Sequence, residues 1–215
     1  GRAYRKSAEI ASRMGPFAGH QPNAGAMIGV MSMHRAAVGN IEHSDSVPSD
    51  LLSAARRSWD DALDLGEVSG FRNAQATVLA PTGTISFMMD CDTTGVEPDF
   101  SLVKMKKLVG GGDLTFVNKT VPMALDRLGY APEERDQVVA FIDDRNTVVG
   151  APHLKTEHYP VFDCAIGERA IHHMGHVKMM GAVQPFISGA ISKTVNLPEE
   201  TTVDEVSQLL IDSWK

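Results

Sequence analysis

The chain has 215 residues, 43% hydrophobic and 22% charged, enough to bury the core of one domain or of part of a larger one. Twenty basic residues against 27 acidic ones leave a net charge of −7, which argues against a general nucleic-acid surface but leaves room for a local phosphate site. Two cysteines, Cys91 and Cys164, make no disulfide framework and suit a reducing, cytoplasmic compartment; no apolar run approaches a membrane span and no signal peptide is visible.

In chain order, Tyr4, Ala8, Ile10 and Ala11 form a loose helical stripe that stops at Gly15-Pro16. Pro16 to Gly25 reads as a loop, and Ala26 to Val38 as a methionine-rich helix. Ser49 is placed to cap the next helix, with Leu51, Ala55, Trp59, Ala62 and Leu63 on one face and Gly66 at its end. Gln75 to Leu79 is a short run of strand formers that breaks off at Ala80-Pro81-Thr82-Gly83-Thr84. Val103 to Lys106 alternates apolar and basic residues as an extended segment does, and Gly110-Gly111-Gly112 reads as a mobile loop. Asn118 to Leu128 and Pro132 to Ile142 read as two helices parted by Gly129. Glu168 to Met180 is helical in pattern, with Gly175 inside it. Phe186 to Val195 reads as a strand whose Gly189 marks a bulge or a close backbone contact. Thr202 and Glu205 form a capping box, with Val206, Leu209, Leu210 and Trp214 facing one way after it. Helices alternating with separated strands predict an α/β fold with mainly parallel pairing, and 1–215 reads as a single segment. Gly1 and Lys215 both fall inside helical patterns, as expected of a piece cut from a longer chain.

The segment Asn73-Ala-Gln-Ala-Thr-Val-Leu-Ala-Pro-Thr-Gly-Thr-Ile-Ser86 carries the most chemistry. Proline fixes a backbone angle, glycine at position 83 permits a tight bend and close approach, and the threonines add hydroxyls. If a helix starts near Thr84, the N–H groups of Thr82 to Ser86 form a nest for an anion such as phosphate. A plain strand-to-helix turn accounts for the same residues.

Three longer blocks decide the family. The run from Arg72 to Lys107, with Phe87-Met-Met-Asp-Cys-Asp-Thr-Thr-Gly-Val-Glu-Pro-Asp-Phe100 after the turn, closely resembles the adenosylcobalamin-dependent (class II) ribonucleotide reductases. So do His158-Tyr-Pro-Val-Phe-Asp-Cys164 and Gly175-His-Val-Lys-Met-Met-Gly-Ala-Val-Gln-Pro-Phe-Ile-Ser-Gly-Ala-Ile-Ser-Lys-Thr-Val-Asn-Leu-Pro198. The resemblance covers nearly the whole chain. It implies the C-terminal portion of a ten-stranded α/β barrel with a central finger loop. It also implies that Ala80, Pro81, Thr82, Gly83, Thr84, Ile85 and Ser86 hold the substrate phosphates, with Gly83 the least replaceable. In that family adenosylcobalamin initiates a cysteine thiyl radical that attacks the ribose, and a cysteine pair supplies the electrons. Implied partners are a ribonucleotide, taken as the diphosphate, and an external dithiol such as thioredoxin; a homodimer is allowed, and neither nucleic acid nor membrane is implied. The thiyl cysteine sits in an Asn-Pro-Cys-Gly-Glu loop that this sequence lacks. The chain alone is therefore expected to be inactive and to supply one wall of an active site.

Other constellations have plainer readings. Cys91 and Cys164 could be a redox pair, but buried structural thiols suit them better. His172 and His176 lie one helical turn apart, yet no third metal ligand follows by a recognised motif; with His173 they could instead approach cofactor or substrate. Lys104, Lys106 and Lys107 could neutralise a triphosphate or an acidic neighbour, and a solvated strand edge is the commoner role. Asp90, Asp92, Glu97 and Asp99 could bind magnesium, but Glu97-Pro98 more simply marks a turn. Met27, Met31, Met33, Met174, Met179 and Met180 suit core filling better than a flat cofactor, and Trp59 and Trp214 read as helix anchors. Three rival functions stand beside the reductase. A small-molecule kinase would need a Gly-x-x-x-x-Gly-Lys-Ser/Thr loop, which is absent. A non-enzymatic barrel-half module would expose large apolar faces. A class I reductase would carry a tyrosine pair beyond the equivalent of Lys215.

Overall fold

The computed structural model describes residues 1–44, 47–107 and 113–215, and of residues 105–116 and Phe87 no side chain is described. The Gly110–Gly112 loop and the side chains of Lys106 and Lys107 lie outside the described residues. The chain divides into two compact units, residues 1–80 with 180–191, and residues 81–179 with 192–215.

In the first unit, α1 (Arg2–Met14), α2 (His20–Gly39) and α3 (Ser49–Ser69) pack together. Their core holds Tyr4, Ala8, Met31, Val38, Leu52, Trp59, Ala62 and Phe71. The Tyr4 ring stacks on Trp59 at 5.9 Å and meets Phe71 edge-on. Helix α2 starts earlier than the sequence suggests, at His20, because Pro22 falls in a first turn where its missing N–H costs nothing. Ser49 is the first helical residue rather than the cap, a position Pro48 takes. The buried face of α3 runs through Leu52, not Leu51, at 2% and 63% exposure. Gly66 does not end α3, which continues to Ser69 and closes on Gly70. Gly66 instead makes room for Phe71, whose ring would lie 2.2 Å from a Cβ there.

The expected strands at Gln75–Leu79 and Phe186–Val195 are not regular. A 3-10 turn occupies Gln184–Phe186, and the two extended segments share one parallel bridge, Leu79 to Ile191. The Leu79 N–H donates to the Ala190 carbonyl (3.1 Å) and the Gly189 N–H to the Thr77 carbonyl (2.9 Å). A Cβ on Gly189 would lie 2.6 Å from that carbonyl oxygen, so the close contact expected at Gly189 is present. The segment is tied to α2 by His34, whose Nδ1 donates to the Pro185 carbonyl (2.5 Å) while Nε2 accepts from Ser188 Oγ (2.8 Å).

In the second unit, β1 (Val103–Lys107) and β2 (Asp113–Val117) pair antiparallel, with Val103 opposite Val117. Helices α5 (Thr120–Arg127) and α6 (Pro132–Arg145) pack on each other, and α6 on β2. Leu102, Val121, Leu125, Val138, Ile142, Val148, Leu154, Phe162 and Cys164 form the core. Pro132 opens α6, where its fixed angle suits the first turn, and Asn146 closes it in the left-handed region at φ 54°. Helix α4 is short (Gly83–Met88). Helix α7 (His173–Val183) starts five residues later than expected, and its last residues, from Met180, belong to the first unit. The capping box opens α8 (Val203–Trp214): Glu205 N–H donates to Thr202 Oγ1, and Thr202 N–H donates to Glu205 Oε2. Of its apolar face only Leu209 is buried. Trp214 is 86% exposed, so it anchors nothing in these residues, and Val203 and Leu210 are exposed with it.

The predicted α/β alternation is thus only partly met. Among the described residues, regular strand is confined to one antiparallel pair, and the parallel pairing is reduced to two isolated bridges, Leu79–Ile191 and Cys164–Ala170. A lone parallel pair offers few ladder bonds, so such segments remain extended without becoming a sheet. No described helix is long and apolar enough to cross a membrane.

Candidate phosphate turn

Ala80 is half-buried at the end of the first unit, and Pro81 to Ser86 belong to the second. The chain enters α4 through Thr82, which sits at φ 51°. A β-branched residue rarely occupies that region, and holding it there costs on the order of 1–3 kcal/mol. The sequence assigned the tight bend to Gly83, but Gly83 has an ordinary backbone angle and the strain falls on Thr82. A Cβ on Gly83 would meet no protein atom within 4 Å. Among the described residues, therefore, no packing contact requires glycine at that position.

Side-chain bonds hold Thr82 in place. Its Oγ1 accepts from the Gly95 N–H (2.8 Å) and from Ser86 Oγ (3.0 Å). A threonine hydroxyl has two acceptor lone pairs and one proton. Both lone pairs are occupied, which leaves the Thr82 proton to be donated elsewhere. The first closed bond of α4 runs from Ser86 N–H to the Thr82 carbonyl (2.9 Å). The N–H groups of Gly83, Thr84 and Ile85 precede it, as the first donors of any helix do. These three residues are exposed, while Ser86 is buried. The turn thus presents three backbone donors and one hydroxyl, and among the described residues no carboxylate is bonded to it.

The remaining candidates separate. Lys104 Nζ pairs with Asp99 (3.3 Å) and Asp92 (3.7 Å) and donates to the Asp92 carbonyl, so it serves acidic neighbours rather than a solvated edge. Asp90 pairs with Lys119 at 3.1 Å and Glu97 with Lys193 at 2.5 Å. Every member of the acidic cluster thereby has a lysine partner, Asp92 and Asp99 sharing Lys104. Glu97 N–H donates to the Thr94 carbonyl (3.0 Å), which closes the turn expected at Glu97-Pro98. Cys164 is buried, and burial first, then Asp99 and Asp163, push its thiol up to about 11. Cys91 is exposed rather than buried, contrary to its structural reading.

His172 precedes α7 and accepts from the Met174 N–H (3.2 Å); His176 is buried inside the helix. Burial and the Lys193 charge hold His176 below its ordinary value. Among the described residues no three His, Cys, Asp or Glu side chains converge as metal ligands. The methionines split between core (Met31) and separately exposed positions (Met33, Met179). The buried Lys193–Glu97–His176 contact escaped sequence reasoning. Its only sequence trace is Lys193, a single charge in the otherwise uncharged run from Gly189 to Pro198.

The model of the ribonucleotide reductase barrel domain matches residues 1–215, and the chain belongs to that family. It is 57% identical over 215 residues to the vitamin B12-dependent ribonucleotide reductase of Streptantibioticus cattleyicolor, covering all of this chain and 36% of that protein. Identity is 54% to the enzyme of the same name from Streptomyces clavuligerus and 52% to that from Rhodopirellula baltica, covering 22% and 21% of those proteins. The chain spans between about a fifth and about a third of the length of these relatives.

Proposed function

We propose that this chain forms the substrate-phosphate wall of a cobalamin-dependent ribonucleotide reductase, as part of its ten-stranded barrel. The reaction would be reduction of ribonucleotides, taken as diphosphates, to 2′-deoxyribonucleotides in the cytoplasm, with reducing equivalents from an external dithiol such as thioredoxin. The observation that carries the assignment is Thr82: a strained residue with both lone pairs occupied, beside a glycine that the fold does not need. Strain of that kind persists where the surroundings over-determine it, as at ligand clamps. The names of the relatives support the cobalamin class over the class I reductases.

Within the wall, the N–H groups of Gly83, Thr84 and Ile85 and the Thr82 hydroxyl bind and orient the phosphates. Fixed donors of this kind cost little reorganisation when the anion arrives. Orienting the substrate lowers the entropic part of the barrier, which is the contribution such a wall makes to the reaction. Ser86 stays buried and braces Thr82. Neither Cys91 nor Cys164 falls in the thiyl motif, so the radical residue belongs to sequence outside this chain. The exposed apolar stripe of α8, through Val203, Leu210 and Trp214, suits a barrel segment that packs on further protein.

The test is amide NMR on the native, full-length protein with a ribonucleoside 5′-diphosphate and with the phosphate-free ribonucleoside. The diphosphate should shift the amides of Gly83, Thr84 and Ile85, and the nucleoside should leave them in place. Equal shifts with both ligands, or none with the diphosphate, would remove the phosphate assignment.

A further inference from the structure

The Lys193 side chain is 3% exposed, yet it carries an ammonium with three donors. All three are placed: Nζ donates to Glu97 Oε2 (2.5 Å), to His176 Nδ1 (2.7 Å) and to the Thr194 carbonyl (2.6 Å). Glu97 is held a second time, because its Oε1 accepts from the Thr194 N–H (2.6 Å). Since Nδ1 of His176 accepts from an ammonium, the ring is neutral and carries its proton on Nε2. That nitrogen is buried and has no partner among the described residues.

Glu97 closes the four-residue turn Thr94 to Glu97, and Gly95 in that turn stands at φ 54°, where glycine is the residue of choice. The Gly95 N–H is the donor that fills one lone pair of Thr82 Oγ1. A continuous path of bonds therefore runs from Lys193 through Glu97 and the Gly95 turn to Thr82. None of the sequence motifs assigned to phosphate contact includes Lys193, Glu97 or Gly95.

We propose that Lys193 is a positioning residue for the phosphate turn. It fixes Glu97, Glu97 fixes the Thr94–Glu97 turn, and the Gly95 N–H then holds Thr82 in its strained conformation. This rests on the phosphate reading of the Thr82–Ser86 turn. Removing one partner of a buried ion pair leaves the other charge uncompensated, so loss of Lys193 would release Glu97 from its present position. Lys193 itself touches no phosphate here: its three donors are already placed, and its side chain is closed to solvent.

The test uses the native, full-length protein with Lys193→Met, Thr82→Val, the double variant and Gly83→Val. Two quantities are read: exchange of the Gly95 amide by hydrogen–deuterium NMR, and calorimetric affinity for a ribonucleoside diphosphate. Lys193→Met should speed Gly95 exchange roughly tenfold, the loss of about one net hydrogen bond. It should leave the amides of Leu125 and Val138 unchanged, and weaken diphosphate binding by a similar factor. The double variant should bind no worse than Thr82→Val alone, because both substitutions cut one path; additive losses would overturn the proposal. Unchanged Gly95 exchange overturns it whatever the nucleotide does. Faster exchange with undiminished diphosphate affinity, while Gly83→Val does weaken binding, means that the turn binds phosphate without help from Lys193. If Gly83→Val binds the diphosphate as tightly as the parent, the phosphate reading fails and the positioning role fails with it. Should Lys193→Met not fold, Glu97→Gln reads the same path with its volume kept, and the same outcomes apply.

Discussion

Gly189 and Gly83 were both singled out in the sequence, and the structure treats them oppositely. At Gly189 a Cβ would strike the Thr77 carbonyl oxygen at 2.6 Å, so the fold itself demands glycine there. At Gly83 the same atom would meet nothing within 4 Å, and the backbone angle is one that any residue adopts. The first glycine is explained by packing. The second has no such packing reason among the described residues, and the phosphate proposed for the turn would supply one. Glycine in a motif thus has two physical meanings, and a constructed Cβ separates them.

The contrast can be broken first at Gly189. Gly189→Val should destabilise the protein by about 1–3 kcal/mol, the usual penalty for forcing atoms into a closed contact. Urea unfolding gives the number. A variant as stable as the parent would show that the Thr77 contact is not a constraint.

A smaller effect sharpens the second region. Burial, with the Lys193 ammonium beside it, holds His176 below its ordinary value, and Glu97 opposes this only in part. The folded state keeps the ring neutral, whereas the unfolded chain takes up a proton below about pH 6.5. The stability tied to His176 is therefore present above that pH and is lost as pH falls. Unfolding midpoints between pH 7.5 and 5.5 should drop more steeply in the parent than in His176→Phe, and parallel curves would contradict the assignment.

The smallest effect lies at the thiols. Iodoacetamide at pH 8 should label exposed Cys91 in the native state and spare Cys164, which is buried with its thiol pushed up to about 11. Peptide mass mapping decides this, and native labelling of Cys164 would contradict its placement.

Much of the fold was legible because local chemistry fixed it. The Thr202–Glu205 box, the stripe from Tyr4 to Ala11 and the Gly129 break between α5 and α6 all appear where periodicity and capping place them. The misplacements have tertiary causes. Leu51 and Leu52 are equally apolar, and only packing against Tyr4 and Trp59 chooses Leu52. Gly66 reads as a helix end until Phe71 needs its space. The parallel strands were overestimated because a run of strand formers does not show whether neighbours are present to pair with. In the site, the turn and the helix after it were legible, but the bend was assigned to the glycine that permits it rather than to Thr82, which Gly95 and Ser86 hold there. The Lys193–Glu97–His176 contact joins residues 17 to 96 positions apart, which no spacing rule reaches.

The most direct test of the phosphate turn is calorimetric binding of a ribonucleoside diphosphate to the native protein beside Gly83→Val. The open space at Gly83 predicts that the variant folds with stability within about 1 kcal/mol of the parent, near the cost of an ordinary surface change. It predicts also that diphosphate affinity falls at least roughly tenfold, because the new side chain occupies the space of the ligand and cuts off fixed donors. Equal stability with undiminished affinity would contradict the account, since the glycine would then serve neither the fold nor the phosphate.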